Sequence, residues 1–214
     1  MGVVTIGVDI GQRRDPTAIA VVEAERRPNE TRPGYTEVHH LARHLERLPL
    51  GTPYPEVARR VAAVTAGAAK KAGGGWPTLY LDATGVGTPV VDVLKDAGVP
   101  ARLVPVYFTH GDRRTMVEDE VRLGKAWLVS RMQALLQGGL LHLPRTPGAE
   151  QLGRELLDYE IRVSEDANDR YGAFKVGTHD DLVTALGLAA QEDSAPIDWL
   201  PVFVSSGLSY WSQV

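Results

Sequence analysis

The chain has 214 residues, of which 43% are hydrophobic and 23% charged, and this composition fits one globular domain with a well-buried core. It has 0 cysteines, which excludes disulfides, thiolate zinc sites, iron–sulfur clusters and cysteine nucleophiles. No apolar run reaches the roughly 18 residues of a membrane span, and no basic stretch precedes the first apolar segment as it would in a secretory signal.

The formal net charge is −4, and the acidic residues are concentrated near the end of the chain. Residues 146–214 contain 4 Lys/Arg against 12 Asp/Glu, a local net charge of −8. This balance argues against a protein that binds nucleic acid through a broadly basic surface. It does not exclude a nucleic-acid partner, because a cluster of metal-binding carboxylates would itself lower the net charge.

The first third of the chain is predicted to hold three extended segments and a helix. These elements are strands over Val3–Asp9 and Thr17–Val22, a polar linker over 25–34, a third strand near Tyr35–Leu41, and a helix from Pro53 to the glycines at 73–75. The short gap between the first two strands favours an antiparallel hairpin. The helix is predicted from apolar residues at steps of three and four.

The remainder is predicted to alternate between strands and helices. Its elements are a strand over Thr78–Asp82, a helix capped by Thr88 and Pro89, a strand over 100–106, a loop over 109–124, helices over 125–137 and 148–158, a hairpin with Ile161 and Val163 facing Phe174 and Val176, and a last helix after Thr178. A hairpin followed by alternation is typical of an α/β fold with a mixed sheet flanked by helices. We expect one domain over residues 3–196 and a tail over 197–214, which is either a docking segment or a poorly ordered end.

Asp9 is the strongest single indication of chemistry. It ends an otherwise apolar strand, where aspartate is disfavoured, and a buried carboxylate without a partner costs several kcal/mol. Either a cation or a set of donors must therefore compensate it. The alternative to a cation is a carboxylate satisfied by backbone amides of the glycine turn that follows.

Three further acidic residues have both a functional and a structural interpretation. Asp82 ends a second apolar strand, where functional groups collect in α/β folds, but aspartate after a strand also caps turns. Asp180 and Asp181 begin the last helix, where Thr178 and Asp181 form a pattern similar to a capping box and acids favour the helix dipole. A cap and a metal ligand are compatible, because each role needs only one carboxylate.

Taken together, these carboxylates suit Mg²⁺ or Mn²⁺, which prefer oxygen ligands and retain waters. Two such ions about 3.5–4 Å apart stabilise both the attacking and the leaving oxygen in phosphodiester cleavage. The sequence therefore predicts a divalent-metal site, provided that the three chain segments converge.

These residues also resemble a known family, the nuclease domains of bacteriophage large terminases. The resemblance rests on Val8-Asp9-Ile10-Gly11, Leu81-Asp82-Ala83-Thr84-Gly85-Val86-Gly87 and Gly177-Thr178-His179-Asp180-Asp181-Leu182-Val183-Thr184-Ala185-Leu186, with Gly124-Lys125, Leu128-Val129-Ser130 and Gly139-Leu140-Leu141 between them. It extends from residue 3 to about 191, and its specificity comes from the order and spacing of motifs that are individually weak.

The resemblance implies a ribonuclease H-like fold and a metal-dependent endonuclease that cuts concatemeric viral DNA during packaging. Asp9 and Asp82 would then hold two Mg²⁺ or Mn²⁺ ions from adjacent strands, and Asp181 would complete the site from the helix. Asp180 would be a further ligand or a positioning residue. His179 is assigned no definite role, because a position in the first helical turn is the favoured interpretation over metal ligation, and Lys125 is a candidate phosphate contact.

The implied partners are double-stranded DNA, the terminase ATPase domain, the small terminase and the portal, in the cytoplasm of an infected bacterial host. A full large terminase also carries an ATPase motor. This sequence has no G-x-x-x-x-G-K-S/T phosphate loop, so it is expected to provide the nuclease without ATP-driven translocation.

Two other groups of residues have weaker indications. Arg13, Arg14, Arg113 and Arg114 lie in predicted loops, where they either contact DNA phosphates or are simply solvated. His39, His40 and His44 have a spacing that would permit zinc, but no further ligand is evident.

Three alternative functions remain open at the level of sequence. Another ribonuclease H-like nuclease, such as a Holliday-junction resolvase, would share the carboxylate site but act on branched DNA. An actin-like ATPase fragment is suggested by Asp9-Ile10-Gly11, although the residues that follow are not those of a phosphate cradle. A non-catalytic packaging module would use its acids only as caps and turns.

Overall fold

The structure is a computed structural model that describes residues 2–11, 15–73, 75–84, 87–162, 170–172 and 179–192. Its strands are β1 (Val3–Asp9), β2 (Ala18–Pro28), β3 (Thr36–Arg47), β4 (Thr78–Asp82), β5 (Arg102–Thr109), β6 (Arg114–Val117), β7 (Glu120–Gly124), β8 (Leu141–His142), β9 (Glu160–Arg162) and β10 (Arg170–Gly172). Its helices are α1 (Tyr54–Lys71), α2 (Gly87–Asp96), α3 (Lys125–Gln137), α4 (Pro147–Asp158) and α5 (Asp181–Ala189).

Eight of these strands form one mixed sheet, which confirms the predicted α/β class. The strand order is β6-β7-β5-β4-β1-β2-β3-β8. Strands β1, β2 and β3 are antiparallel neighbours, whereas β1, β4, β5 and β7 run parallel, β3 pairs in parallel with β8, and β6 and β7 form an antiparallel hairpin. A short second sheet consists of β9 and β10.

Alternating side chains along the central strands separate two hydrophobic cores, one on each face of the sheet. On one face, Ile6 and Val8 of β1 pack with residues of α1 and α2 such as Val61 and Leu94. The opposite face carries the small residues of β2 and packs against α3, α4 and α5. Because the side-chain period is two residues, Thr5, Gly7 and Asp9 all project toward the second face.

Helix α5 lies directly on β1. A Cβ atom at Gly7 would be 2.0 Å from Ala185 O and 2.7 Å from Ala189 N, so only glycine permits this approach. The Thr5 hydroxyl donates a 2.5 Å hydrogen bond to Ala189 O across the same interface. All nine residues of α5 are buried, which explains why its sequence is apolar all around.

The structure corrects several predicted boundaries. Strand β2 continues through the predicted linker as far as Pro28, because residues beyond the core still pair with β3. The segment predicted as a loop over 109–124 contains the β6–β7 hairpin, in which the buried Val121 and Leu123 alternate with exposed Arg122. Helix α2 begins at Gly87, one residue before the predicted cap Thr88.

A hairpin is present near the end of the chain as the β9–β10 pair, but its register differs from the prediction, because Ile161 pairs with Tyr171, which was expected in the turn. Residues 163–169 and 173–178, including Val163, Phe174, Val176 and Thr178, lie outside the described residues, as does the predicted tail over 197–214. None of the helices in the described part of the chain is long and apolar enough to cross a membrane.

We predict that Gly7→Ala lowers the free energy of unfolding by about 2 kcal/mol or more, because the new methyl group collides with the α5 backbone. Gly67→Ala is the matched control, since Gly67 is exposed in α1 and an added Cβ there meets no atom within 4 Å. That variant should gain about 0.5–1 kcal/mol from the better helix propensity of alanine. Chemical denaturation measures both, and equal stability of the Gly7→Ala variant and the unsubstituted protein would contradict the interpretation.

Candidate metal centre

Asp9 and Asp82 are brought together by the pairing of two parallel strands. In the β1–β4 register, Val8 is opposite Leu81, so the next residues along the two strands, Asp9 and Asp82, are neighbours at their carboxyl ends. Tyr80 belongs to the same core as α5, and the two-residue period places Asp82 on that face together with Asp9. Strand register and side-chain alternation therefore suffice to pair the two carboxylates.

Helix α5 provides the third carboxylate. The helix begins at Asp181, which is 4% exposed, and Asp180 occupies the N-cap position without making a side-chain capping hydrogen bond. A cavity of about 890 Å³ opens between these elements. Its walls are formed by Asp9, Ile10, Gly11, Asp15, Gly51, Thr52, Pro53, Tyr54, Asp82, Lys125, Asp180, Asp181 and Thr184. All four predicted acidic residues and Lys125 thus line one cavity.

Three of the acidic groups in this cavity, Asp9, Asp82 and Asp181, have raised pKa values. Burial, followed by the charges of Asp82, Asp181 and Asp180, raises the pKa of Asp9 well above its usual range, although Lys125 opposes the shift. Burial raises the pKa of Asp82 as well, and hydrogen bonds from Thr84, including a 2.8 Å bond from its backbone N–H, partly counter this.

Asp181 shows the same behaviour. Burial raises the pKa of Asp181 to about 7, while Arg47 lowers it and the charges of Asp180 and Asp15 raise it further. Carboxylates that repel one another in a cavity indicate a site where a further group, and not these side chains, balances the negative charge.

The donor set fits a divalent cation. Oδ2 of Asp181 is buried and accepts no hydrogen bond. Asp15, His179 and Asp181 also offer ligand atoms that all lie within 4.8 Å of one another. Carboxylate oxygens, with one imidazole at the edge, suit Mg²⁺ or Mn²⁺.

The sequence interpretation overlooked Asp15 and assigned His179 no ligand role. Asp15 precedes Pro16 in the loop after β1, and its proximity in sequence to Asp9 was the signal available. His179 was expected in the first helical turn, but α5 begins two residues later. Its Nδ1 instead lies 3.7 Å from Asp181 Oδ2.

The sequence also did not reveal how α5 is capped. The backbone N–H groups of Leu182 and Val183 donate to Glu155 Oε2 of α4, at 2.9 and 3.1 Å. Glu155 is 5% exposed and also contacts Arg47. The sequence signal for this cap is that Glu155 follows the apolar Leu152 by three residues and therefore lies on the buried face of an amphipathic helix.

The basic residues predicted to contact DNA do not all line the cavity in the described part of the chain. Lys125 lines the cavity, with its Nζ 5.3 Å from the centre of the Phe108 ring. Arg113 is exposed, whereas Arg114 donates hydrogen bonds of 2.9 and 3.0 Å to Gln191 and Glu192 and does not line the cavity. Arg13 and Arg14 lie outside the described residues.

The three histidines of β3 do not converge on one site. His39 Nδ1 lies 2.7 Å from His142 Nε2, and His44 Nε2 lies 2.9 Å from Glu46. His40 is fully buried and, as the residue after His39, projects to the other face of the sheet. The zinc interpretation of this trio is therefore wrong, because alternation along a strand separates adjacent residues.

The central strand order β3-β2-β1-β4-β5, with its antiparallel first three strands and flanking helices, is the ribonuclease H-like fold. Solved structures with this fold include the magnesium-bound large terminase nuclease of thermophilic phage G20c, with a TM-score of 0.63 and 19% identity over 89% of this chain and 82% of that one. The nuclease domain of the Thermus phage P74-26 large terminase gives a TM-score of 0.56 and 17% identity over 88% and 78%.

A human virus provides a third similar structure. The manganese-soaked, inhibitor-bound nuclease domain of the human cytomegalovirus terminase gives a TM-score of 0.55 and 14% identity over 87% of this chain and 81% of that one. No protein-family model and no curated protein matches the sequence. The fold is thus that of terminase nuclease domains, at a low level of sequence identity.

We predict that the metal-free protein loses stability as the pH rises from about 4 to about 7. The pKa of Asp181 is about 7 in the folded protein, whereas the unfolded chain releases this proton near pH 3.9, as ordinary aspartates do. Over this interval the folded state binds more protons than the unfolded state, so the free energy of unfolding decreases with pH.

The measurement is the melting temperature in EDTA at pH 5 and pH 8, for the unsubstituted protein and for the Asp9→Asn variant. The variant lacks one of the repelling charges, so it should melt about 3 °C or more above the unsubstituted protein at pH 8 and show a smaller difference at pH 5. Parallel pH profiles for the two proteins would contradict a repulsive carboxylate cluster.

Proposed function

We propose that this protein is a divalent-metal-dependent endodeoxyribonuclease of the large-terminase type, which cuts double-stranded viral DNA concatemers during genome packaging. The observation that carries the proposal is the convergence of Asp9, Asp82, Asp180 and Asp181 on one cavity. Burial and the neighbouring carboxylates raise the pKa values of Asp9, Asp82 and Asp181 there. The fold shared with terminase nucleases supports it.

The carboxylates have distinct places in this mechanism. Asp9 and Asp82 would hold two Mg²⁺ or Mn²⁺ ions from adjacent strands, and Asp181 would complete the coordination from α5. Asp180, and Asp15 with His179 at the other edge, are candidates for further ligation or positioning. When bound, the ions would activate a water and stabilise the attacking and leaving oxygens of the scissile phosphodiester.

The remaining groups orient the substrate. Lys125 is the candidate phosphate contact in the cavity, where it also lowers the pKa of Asp9. Arg13, Arg14, Arg113 and Arg114 are proposed to contact DNA, with Arg114 having to leave Gln191 and Glu192 to do so. A terminase ATPase domain, a small terminase and a portal are the proposed packaging partners, in the cytoplasm of the infected host.

The proposal predicts plasmid cleavage in Mg²⁺ or Mn²⁺ and none in EDTA. Asp9→Asn should reduce the cleavage rate at least ~100-fold, because it removes a metal ligand shared by the site. Asp96→Asn is the matched control, since Asp96 is exposed on α2 and away from the cavity. Supercoiled, nicked and linear DNA are quantified on agarose gels.

Cleavage assays, ATP binding and thermal unfolding together separate the alternative functions. Preferential cutting of a four-way junction over a linear duplex would favour a resolvase. No cutting in either metal by the folded protein would contradict the nuclease, and measurable ATP binding would then support the actin-like reading. A melting temperature that does not change with divalent metal would favour a non-catalytic module, because ligands that bind the folded state raise its stability.

Lys125→Met should weaken duplex binding and reduce the slope of log affinity against log salt by about 1, as expected for the loss of one phosphate contact. The measurement is fluorescence anisotropy with labelled duplex in an Asp9→Asn background, which prevents cleavage. Lys70→Met, at the exposed end of α1, should leave both quantities unchanged. If both lysine variants behave alike, Lys125 does not contact the phosphate backbone.

A further inference from the structure

Arg47, at the end of β3, reaches two buried carboxylates on two different helices. Its Nη2 contacts Glu155 Oε1 of α4, and its Nε lies 3.6 Å from Asp181 Oδ2 of α5. The Arg47 side chain is 22% exposed, and each of the two carboxylate side chains is 5% exposed. One guanidinium therefore stands between an acid in the cavity wall and an acid outside it.

Glu155 also caps the N-terminus of helix α5. Through Oε2 it accepts the first free amides of α5, from Leu182 and Val183. A carboxylate at a helix N-terminus satisfies unpaired N–H groups and interacts favourably with the helix dipole. The residue at the N-cap, Asp180, does not cap with its side chain, so α4 caps α5 and leaves the carboxylate of Asp180 available to the cavity.

The two contacts of Arg47 are unequal. Arg47 Nη2 touches Glu155 Oε1, whereas Arg47 Nε lies 3.6 Å from Asp181 Oδ2, which is beyond hydrogen-bond distance. Glu155 Oε1 and Arg47 Nε are, like Asp181 Oδ2, buried atoms without a hydrogen-bond partner. The Arg47 charge thus lowers the pKa of Asp181, yet Oδ2 of Asp181 still lacks a hydrogen-bond donor. Arg47 compensates the charge of Asp181 without occupying its oxygen.

We propose that Arg47 and Glu155 form a positioning pair for the metal centre. Arg47 offsets the charge of Asp181 while no cation is bound, and Glu155 holds Arg47 back so that it does not take the place of the cation. This inference rests on the proposed metal-binding role of Asp181. It adds two residues, outside the set that would ligate the ions, that control how strongly the site binds them.

Opposite effects of two single variants follow from this arrangement. Glu155→Gln keeps an oxygen acceptor for the α5 amides but releases Arg47 toward Asp181, so Mn²⁺ should bind roughly tenfold more weakly. Arg47→Met leaves two buried carboxylates without their cation. Its melting temperature in EDTA should therefore fall, and saturating Mn²⁺ should raise that temperature by more than it does in the unsubstituted protein.

Two double variants separate the charge of Arg47 from the helix cap. In Glu155→Gln with Arg47→Met, no cation is left to compete, so Mn²⁺ affinity should return to within about threefold of the original value. In Glu155→Gln with Arg47→Lys the charge remains, and the affinity should stay low. Equal weakening by Glu155→Gln with and without Arg47 would show that the effect passes through the cap alone, and would overturn the proposal.

The measurement is isothermal titration calorimetry of Mn²⁺ into metal-free protein, with thermal unfolding in EDTA as the second readout. Glu150→Gln on α4 and Arg59→Met on α1, both exposed, are the matched controls and should bind Mn²⁺ as the unsubstituted protein does. If Arg47→Met alone does not fold, the Glu155→Gln variant and the two double variants still decide the question.

The outcome is separable from that of the proposed function. Mn²⁺ binding and DNA cleavage by the unsubstituted protein, together with unchanged affinity in Glu155→Gln, would overturn the positioning pair and leave the nuclease standing. Absence of Mn²⁺ binding by the unsubstituted protein would overturn both.

Discussion

The close approach of helix α5 to strand β1 is the constraint on which the site depends. Gly7 lets the two backbones meet, and the Thr5 hydroxyl fixes the far end of the helix at Ala189 O. With the helix so placed, its first residue, Asp181, lies by the carboxyl end of β1 and therefore beside Asp9. Strand β4 pairs in parallel with β1, and this register alone places Asp82 next to Asp9. One helix–strand interface thus gathers carboxylates from three distant parts of the chain.

Gathering these acids creates an electrostatic cost that the fold offsets only in part. Lys125 opposes the rise in the pKa of Asp9, the Thr84 amide donates a hydrogen bond to Asp82, and the charge of Arg47 lowers the pKa of Asp181. None of the three neutralises the cavity, and Asp181 keeps an oxygen without a donor. Incomplete compensation of this kind favours cation binding, because a cation offsets the repulsion between the carboxylates and coordinates oxygens that accept no hydrogen bond.

Local patterns in the sequence were sufficient for the central architecture. The ends of β1 and β4 and the helical periodicity of α1 and α3 follow from side-chain type alone, and Asp9 and Asp82 were located because aspartate is unexpected at the end of an apolar strand. Asp180 and Asp181 stand at a helix start, where helix capping explains acidic residues equally well, so their role was predicted only together with the other two. Interactions between distant elements were not predictable in this way. Glu155 can cap α5 only because α4 packs beside it, which no local pattern shows. The β6–β7 hairpin forms by pairing with β5, and polar residues such as Arg114 and Arg122 make its sequence look like a loop.

The interface between Thr5 and Ala189 joins residues 184 positions apart, and this separation imposes an order on folding. During synthesis, at about 5–20 residues per second, β1 leaves the ribosome roughly ten seconds or more before the helix that covers it. Until α5 arrives, Asp9 and Asp82 lack the carboxylates of Asp180 and Asp181, and strands β1 and β2 lack the helix that lies on them. A nascent chain that ends before helix α5 therefore cannot assemble the complete carboxylate centre, and any chemistry at that centre is confined to molecules whose synthesis has passed this helix.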